Sequence, residues 1–106
     1  MKLIVMKFGG TSVGSIDKIN NVANIVEKQL NDKKLIVVLS AMSGVTNKMQ
    51  EYIDEIESNE IIENDLILTS GEAVSVGLLS AILKKRNIKS IPVSYTHLTL
   101  PTNPEV

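Results

Sequence analysis

The feature that most constrains this fold is a continuous apolar run at residues 35–39 that stands between two helical patterns. The run is rich in β-branched residues and does not alternate with polar ones, as is typical of a parallel strand covered on both faces. A similar run at residues 3–6 opens the chain, and residues 88–93 would form a third strand. Strands alternating with helices predict an α/β fold with parallel strands and helical crossovers.

The segments between these strands have the spacing of amphipathic helices. Apolar residues recur every three or four positions from Ile16 onward, with Ser15 placed to cap the first turn and Asp17 at the positive end of the helix dipole. A second pattern of this kind covers residues 45–56. The pattern therefore predicts two helices, each with one apolar face.

A third helix is expected over residues 66–83, the longest apolar stretch of the chain. The acidic residues 57–64 before it are expected to form a polar connection. Gly71 and Gly77 lower the helix propensity and predict a local irregularity. Asn87 follows a basic segment and is a candidate C-cap.

The composition argues against several classes of function. The 106-residue chain has a formal net charge of −1 and 3% aromatic residues, which does not favour a nucleic-acid surface. It contains no cysteine, so thiolate metal sites and thiol nucleophiles are excluded, and no metal ligands are predicted. The N-terminal apolar run is too short for a signal peptide, and no segment reaches the roughly 18 apolar residues of a membrane span. We expect a cytoplasmic protein without a membrane or nucleic-acid partner.

A glycine turn joins the first predicted strand to the first helix. Gly9 and Gly10 let backbone N–H groups approach an anion, Lys7 supplies a mobile positive charge, and Thr11 and Ser12 add hydroxyl donors. The positive end of the next helix points toward the same loop, which suits nucleotide phosphates. The alternative is an ordinary turn with a surface lysine, because adjacent glycines match neither a P-loop nor the spaced dinucleotide fingerprint.

Residues 40–47 form a loop of small residues after the second strand. In an open parallel sheet, ligands gather at the carboxyl ends of the strands, so this loop is expected beside the glycine turn. Its hydroxyl and N–H groups could bind a carboxylate. The alternative is that Ser43 or Thr46 only caps the second helix.

Glu72 interrupts the long apolar segment. A carboxylate buried in an apolar helix is costly unless it is paired, and a ligand amino group would be a suitable partner. The alternative is a glutamate on the solvent side of the helix.

Residues 7–13 resemble the opening signature of the aspartate kinases, members of the amino acid kinase superfamily. Residues 38–47 and 68–72 resemble the second and third blocks of that family, in the family's order. The resemblance implies an incomplete three-layer αβα sandwich with a mainly parallel sheet over residues 1–93. It also implies two sites. The ATP phosphate site would be formed by Lys7, which is the catalytic residue, and by Gly9, Gly10, Thr11 and Ser12. The aspartate site would be formed by Ser40, Thr46 and Glu72.

The activity that this resemblance implies is transfer of the γ-phosphate of Mg²⁺-bound ATP to the side-chain carboxylate of L-aspartate. The product is 4-phospho-L-aspartate, and the reaction is the first step toward lysine, threonine and methionine. A homo-oligomer is expected for the full-length protein. The alternatives are another amino acid kinase, acting for example on glutamate, or a non-catalytic ATP-binding remnant.

Residues 94–106 depart from the family pattern and resemble the translation of a sequencing-library adapter. We therefore expect a chain that is cut before the rest of the kinase domain and that ends in an artefactual tail. The alternative is a genuine divergent strand and loop. His97 lies in this tail and is given no role.

A parallel sheet without its neighbours leaves apolar strand edges uncovered. We therefore expect the isolated chain to be marginally stable and to associate. Thermal unfolding followed by circular dichroism, with sedimentation velocity at several concentrations, should show a broad transition and species larger than a monomer. A sharp cooperative transition from a monomer would contradict this expectation.

Overall fold

The computed structural model describes residues 2–93. Two strands are separated by one helix and followed by two more helices, and a short 3₁₀ turn, Gly10–Val13, follows the first strand. The elements are β1 (Lys2–Phe8), α1 (Ile16–Gln29), β2 (Lys33–Leu39), α2 (Val45–Ile56) and α3 (Ile61–Lys85).

The two strands pair in parallel, with Lys2 opposite Lys33 and Phe8 opposite Leu39. Both strands therefore end at the same edge of the sheet. Helix α1 is the crossover between them, as a parallel pair requires. The predicted α/β fold with a parallel sheet is confirmed.

One face of the sheet is covered by helices. Phe8, Leu35, Val37 and Leu39 point to this face and pack against a core that α1 and α3 share. The centre of this core is apolar and excluded from water; its buried members are Val13, Ile19, Val22, Ala23, Val26, Leu79 and Leu83.

The opposite face of the sheet is open in the described residues. Leu3, Val5, Ile36 and Val38 alternate with the core residues and remain 43–62% exposed. The expectation that β2 is covered on both faces is therefore wrong for this part of the chain. Side chains alternate between the faces of a strand, so helices on one face leave half of them in solvent. Residues 2–93 thus supply the sheet and one helical layer of the predicted sandwich.

The first two helices follow the sequence prediction. Ser15 is the N-cap of α1, where its hydroxyl accepts a hydrogen bond from the Lys18 backbone N–H at 3.2 Å. Asp17 lies in the first turn. Helix α2 covers the predicted residues, and Ile53 is its buried anchor.

Helix α3 is longer and more regular than the sequence predicted. It begins at Ile61, inside the segment expected to be a polar connection. Glu60 is the N-cap without a side-chain hydrogen bond, and Glu63 suits the positive end of the helix dipole in the first turn. It then runs without a break through Gly71 and Gly77. The predicted irregularity is wrong, because a regular helix tolerates an isolated glycine at a cost of only about 1 kcal/mol.

The end of α3 is a Schellman motif rather than the start of a strand. Arg86 is the C-cap, and Asn87 follows in the left-handed conformation, with φ 63°. The N–H groups of Asn87 and Ile88 donate to the carbonyls of Lys84 and Leu83, each at 3.0 Å. The strand predicted over residues 88–93 is wrong for the described structure, where the sheet has two strands. Ser90 turns back instead to form a hydrogen bond with Ser80 at 2.6 Å.

Helix α3 is also long and apolar enough to cross a membrane, by length and composition alone. The expectation that no segment meets this criterion is therefore wrong. It counted uninterrupted apolar residues, whereas small residues and a single glutamate scarcely lower the apolar character of an 18-residue window. Only 28% of that window is buried, although α3 packs on α1, α2 and β2.

Replacing each of the two glycines of α3 by alanine should change the free energy of unfolding in opposite directions. A Cβ on Gly71 would lie 2.7 Å from Val45 Cγ1 and 2.8 Å from Ala41 Cβ, whereas a Cβ on Gly77 would meet nothing within 4 Å. We expect Gly71→Ala to lower the free energy of unfolding by about 1–3 kcal/mol through overpacking. Gly77→Ala should raise it by up to about 1 kcal/mol through helix propensity.

Urea unfolding at a concentration where the chain is monomeric measures both changes. Gly77→Ala is the matched control, since it makes the same chemical change in the same helix. Equal effects of the two substitutions would show that Gly71 is not needed for the approach of α3 to Ala41.

Candidate phosphate and amino acid site

The glycine turn and the loop after β2 lie against each other at the carboxyl edge of the sheet. The Ser40 N–H donates to the Phe8 carbonyl at 3.1 Å, which holds the two strand ends together. A Cβ on Gly10 would lie 3.1 Å from the Ala41 carbonyl oxygen. A Cβ at this position would require the Ala41 carbonyl to move by a few tenths of an ångström, so the absence of a side chain at Gly10 permits the observed close approach of the two loops.

Ala41 also contacts α3. Its methyl group faces Gly71, at the close distance given above, and Ala41 itself is buried. Thus one small residue touches the glycine turn through its carbonyl and the third helix through its side chain. All three segments singled out in the sequence meet at Ala41.

The glycine turn is open toward solvent. Gly9 has an extended backbone, and a Cβ there would meet nothing within 4 Å. Neither backbone geometry nor packing therefore requires a glycine at this position in the described structure. An open approach to the backbone is what a bound phosphate would need.

The hydroxyl groups beside this turn are accessible. Thr11 and Ser12 are exposed, and Ser15 rather than either of them caps α1. A shallow groove runs past both residues and is lined further on by Lys18 and Asn21. Lys18 is a cation that sequence reasoning did not single out. Its only signal was its place in the first turn of the helix behind the loop.

Lys7 lies near the end of β1, on the open face of the sheet and opposite Val38. Its side chain is exposed and makes no ion pair within residues 2–93. The ammonium group is therefore not committed to an internal carboxylate in this part of the chain.

The second loop leaves its hydroxyl groups uncommitted. Gly44, in the left-handed conformation with φ 88°, is the N-cap of α2, and no side chain caps the helix. The alternative that Ser43 or Thr46 serves as the N-cap is therefore wrong. Thr46 lies exposed in the first turn of α2, and Ser40 is half-buried at the end of β2.

Glu72 is next to Gly71 on α3 but is exposed. The cost of a buried carboxylate, which motivated a ligand partner for it, does not arise in the described structure. The case for Glu72 as an aspartate ligand therefore depends on the motif and on its position beside the Ala41 contact.

Within residues 2–93, no side chain predicted for either site bonds to another of them. The residues with polar side chains are Lys7, Thr11, Ser12, Ser40, Thr46 and Glu72. The structure thus joins the three segments through small residues and leaves the polar groups free, so the individual site assignments stay predictions. The joining residue, Ala41, was missed because a lone alanine in a loop carries no sequence signal. The tail and His97 lie outside the described residues.

The sequence model of the amino acid kinase family matches residues 2–105. With a parallel sheet and three motif segments at its carboxyl edge, the chain belongs to the amino acid kinase family. It is 47% identical over 98 residues to an aspartate kinase of Pseudomonas putida, covering 91% of this chain and 23% of that protein. An aspartokinase of Rickettsia felis is 41% identical over 95 residues, covering 85% and 24% respectively.

Comparison with solved structures also finds similarity to aspartate kinases. An aspartate kinase from Synechocystis superimposes with a TM-score of 0.78 at 36% identity, covering 84% of this chain and 16% of that one. E. coli aspartokinase III, in complex with aspartate and ADP, has a TM-score of 0.63 at 25% identity and covers 84% and 30%. The chain spans about a quarter of the length of the curated relatives it matches.

Replacing Gly9 by alanine should affect nucleotide binding without affecting the fold. We expect Mg-ATP to shift the amide resonances of residues 9–12, and Gly9→Ala to weaken this binding about tenfold, or ~1.4 kcal/mol. The physical reason is that a new methyl group would occupy open space through which a phosphate approaches.

Gly77→Ala is the control, because its methyl group also enters open space but six residues beyond Gly71 on α3. It should leave the nucleotide titration unchanged. If Gly9→Ala bound Mg-ATP as the parent chain does, the glycine turn would not be the phosphate site.

Proposed function

We propose that this chain is the N-terminal part of an ATP-dependent aspartate kinase, which phosphorylates the side-chain carboxylate of L-aspartate to 4-phospho-L-aspartate. The observation that carries the proposal is the junction at Ala41, where the glycine turn, the small-residue loop and the Glu72 segment of α3 come together. Aspartate kinases are among the relatives that this chain matches, and the structure of one of them was solved in complex with aspartate and ADP.

The proposed roles follow from the chemistry of the transfer. A carboxylate oxygen of aspartate attacks the γ-phosphorus, the bond from that phosphorus to the bridging oxygen breaks, and ADP leaves. Both reactants are anionic, so positive charge and N–H donors are needed where they meet. Lys7 and the turn at Gly9 and Gly10 would supply them, with the hydroxyls of Thr11 and Ser12 as further donors.

The aspartate substrate carries both an ammonium group and carboxylates, and its proposed ligands match this. Glu72 would pair with the ammonium group, while Ser40 and Thr46 would donate to a carboxylate. The exposure of Glu72 and Thr46 leaves both available to a ligand.

Mg²⁺ is part of the proposal only as the partner of ATP. Residues 2–93 contain no group of three or more His, Asp or Glu side chains placed to hold a metal ion. This part of the chain therefore offers no cluster of that kind for a resident metal ion. The phosphates of the nucleotide would carry the ion.

A second candidate is a nucleotide-binding portion without catalysis by itself. It is favoured by the length of the chain, which covers 23% of the Pseudomonas putida aspartate kinase. For the full-length protein we propose a cytoplasmic homo-oligomer at the entry to lysine, threonine and methionine synthesis.

The source gene should first be sequenced independently across the codons for Val93 onward. The test is then an activity assay of the protein that the recovered reading frame encodes. With Mg-ATP and L-aspartate we expect an acyl phosphate that hydroxylamine traps as a hydroxamate. L-glutamate in place of aspartate should give little product. A preference for glutamate would show that glutamate rather than aspartate is the substrate. No product with either amino acid would favour the candidate that binds nucleotide without catalysis.

Glu72→Gln in that enzyme should raise KM for aspartate by roughly tenfold or more, because a charge-assisted pair with the ammonium group is lost. KM for ATP should stay the same. Glu63→Gln is the matched control, as another exposed acid of the same helix. Equal effects of both substitutions on KM for aspartate would remove Glu72 from the substrate site.

A further inference from the structure

The two ends of α3 have opposite charge. Seven acidic residues lie between positions 51 and 65, and no lysine or arginine occurs from position 49 to 83. Lysines then cluster at the other end of the helix. Since α3 has 25 residues, its two ends are about 37 Å apart, so one molecule cannot bring them together.

The acidic end carries exposed apolar side chains. We call this surface the acidic tip and define it by Ile56, Glu57, Glu60, Ile61, Ile62 and Glu63. The three isoleucines are 68–80% exposed, which is unusual for large aliphatic side chains at a turn. The acidic tip thus combines an apolar centre with a carboxylate rim.

The turn that presents the acidic tip is held in place by hydrogen bonds. The Ser58 hydroxyl accepts from the Glu60 N–H at 3.2 Å, and the Asn64 side chain donates to the Ser58 carbonyl at 3.3 Å. A surface already ordered before contact loses less entropy on binding.

The opposite end of the molecule has a groove of complementary character. We call it the lysine groove and define it by Lys33, Lys34, Lys84, Lys89, Leu35 and Ile91. Ile91 is 88% exposed, and the four lysines make no ion pair within residues 2–93. The groove offers apolar side chains between cations that pair with no carboxylate of residues 2–93, although Lys33 donates to the Gln29 side chain at 3.3 Å.

The lysine groove is also formed in advance. Arg86 ties the end of α3 to α1 through Glu27 at 3.0 Å and Asn24 at 2.8 Å. The bond between Ser80 and Ser90 holds the segment after the helix in place. Both surfaces are therefore ordered parts of the fold.

We propose that the acidic tip of one copy of this chain docks in the lysine groove of a second copy. The isoleucines lie on the apolar floor of the groove, and the carboxylates of the tip pair with its lysines. Because each copy carries one tip and one groove at opposite ends, the contact is heterologous and repeats head to tail. This inference is independent of the proposed kinase activity.

The effect of salt concentration distinguishes this contact from association through the open, apolar face of the sheet. Raising NaCl from about 50 mM to about 500 mM should weaken the self-association by roughly tenfold or more, since the Debye length falls. Sedimentation equilibrium of the 106-residue chain measures this. Association that salt leaves unchanged or strengthens would overturn the proposal, as would a chain that stays monomeric up to about 1 mM.

Charge exchange gives the sharper test. Glu60→Lys with Glu63→Lys reverses the tip, and Lys34→Glu with Lys84→Glu reverses the groove. Each double variant alone should associate at least roughly tenfold more weakly than the parent chain, because like charges meet. An equimolar mixture of the two should associate again, since each reversed surface then finds an opposite partner.

Glu63→Lys by itself should also weaken the association, and Asp17→Lys is its matched control. Both residues are exposed acids in the first turn of a helix, so the changes in net charge and in dipole energy are the same. The control should associate as the parent does. If the mixture stayed monomeric while both variants kept the helical circular dichroism of the parent, or if Asp17→Lys weakened association as Glu63→Lys does, the proposal would be wrong.

Discussion

The contact at Ala41 is the interaction that brings the glycine turn, the loop after β2 and helix α3 together. Its carbonyl oxygen limits how near the glycine turn can come, and its methyl group limits the approach of α3. Gly10 and Gly71 remove the side chains that would keep the segments apart. The candidate site is therefore built by close approach of backbone, and the polar residues that would do its chemistry surround this contact without bonding to one another.

The same structure leaves much apolar surface uncovered. One face of the β1–β2 pair is in solvent, and apolar residues lie all around α3 although only part of the helix is buried. A helix that is apolar on every side is normally enclosed by a larger core.

The sequence predicted the elements best where a local signal was strong. The cap at Ser15 and the span of α2 follow from hydroxyl chemistry and apolar spacing, and both are present. Prediction failed where the outcome depended on neighbours. The start of α3 and the strand after Asn87 were both misplaced, because helix extension and strand pairing depend on what packs alongside. Likewise, the apolar residues around Glu72 left open whether its side chain is buried or on the solvent side of the helix, and it is exposed because no helix or strand of the described part covers it.

The sequence by itself determined the α/β class, the family and the order of the three motif segments, because these depend on periodicity and on residue identity along the chain. Only the tertiary structure decided that the segments meet at Ala41, and that Gly9 faces open space while Gly71 is tightly packed. These properties depend on distances between residues far apart in the chain. Such distances arise from packing, which no local pattern of residues encodes.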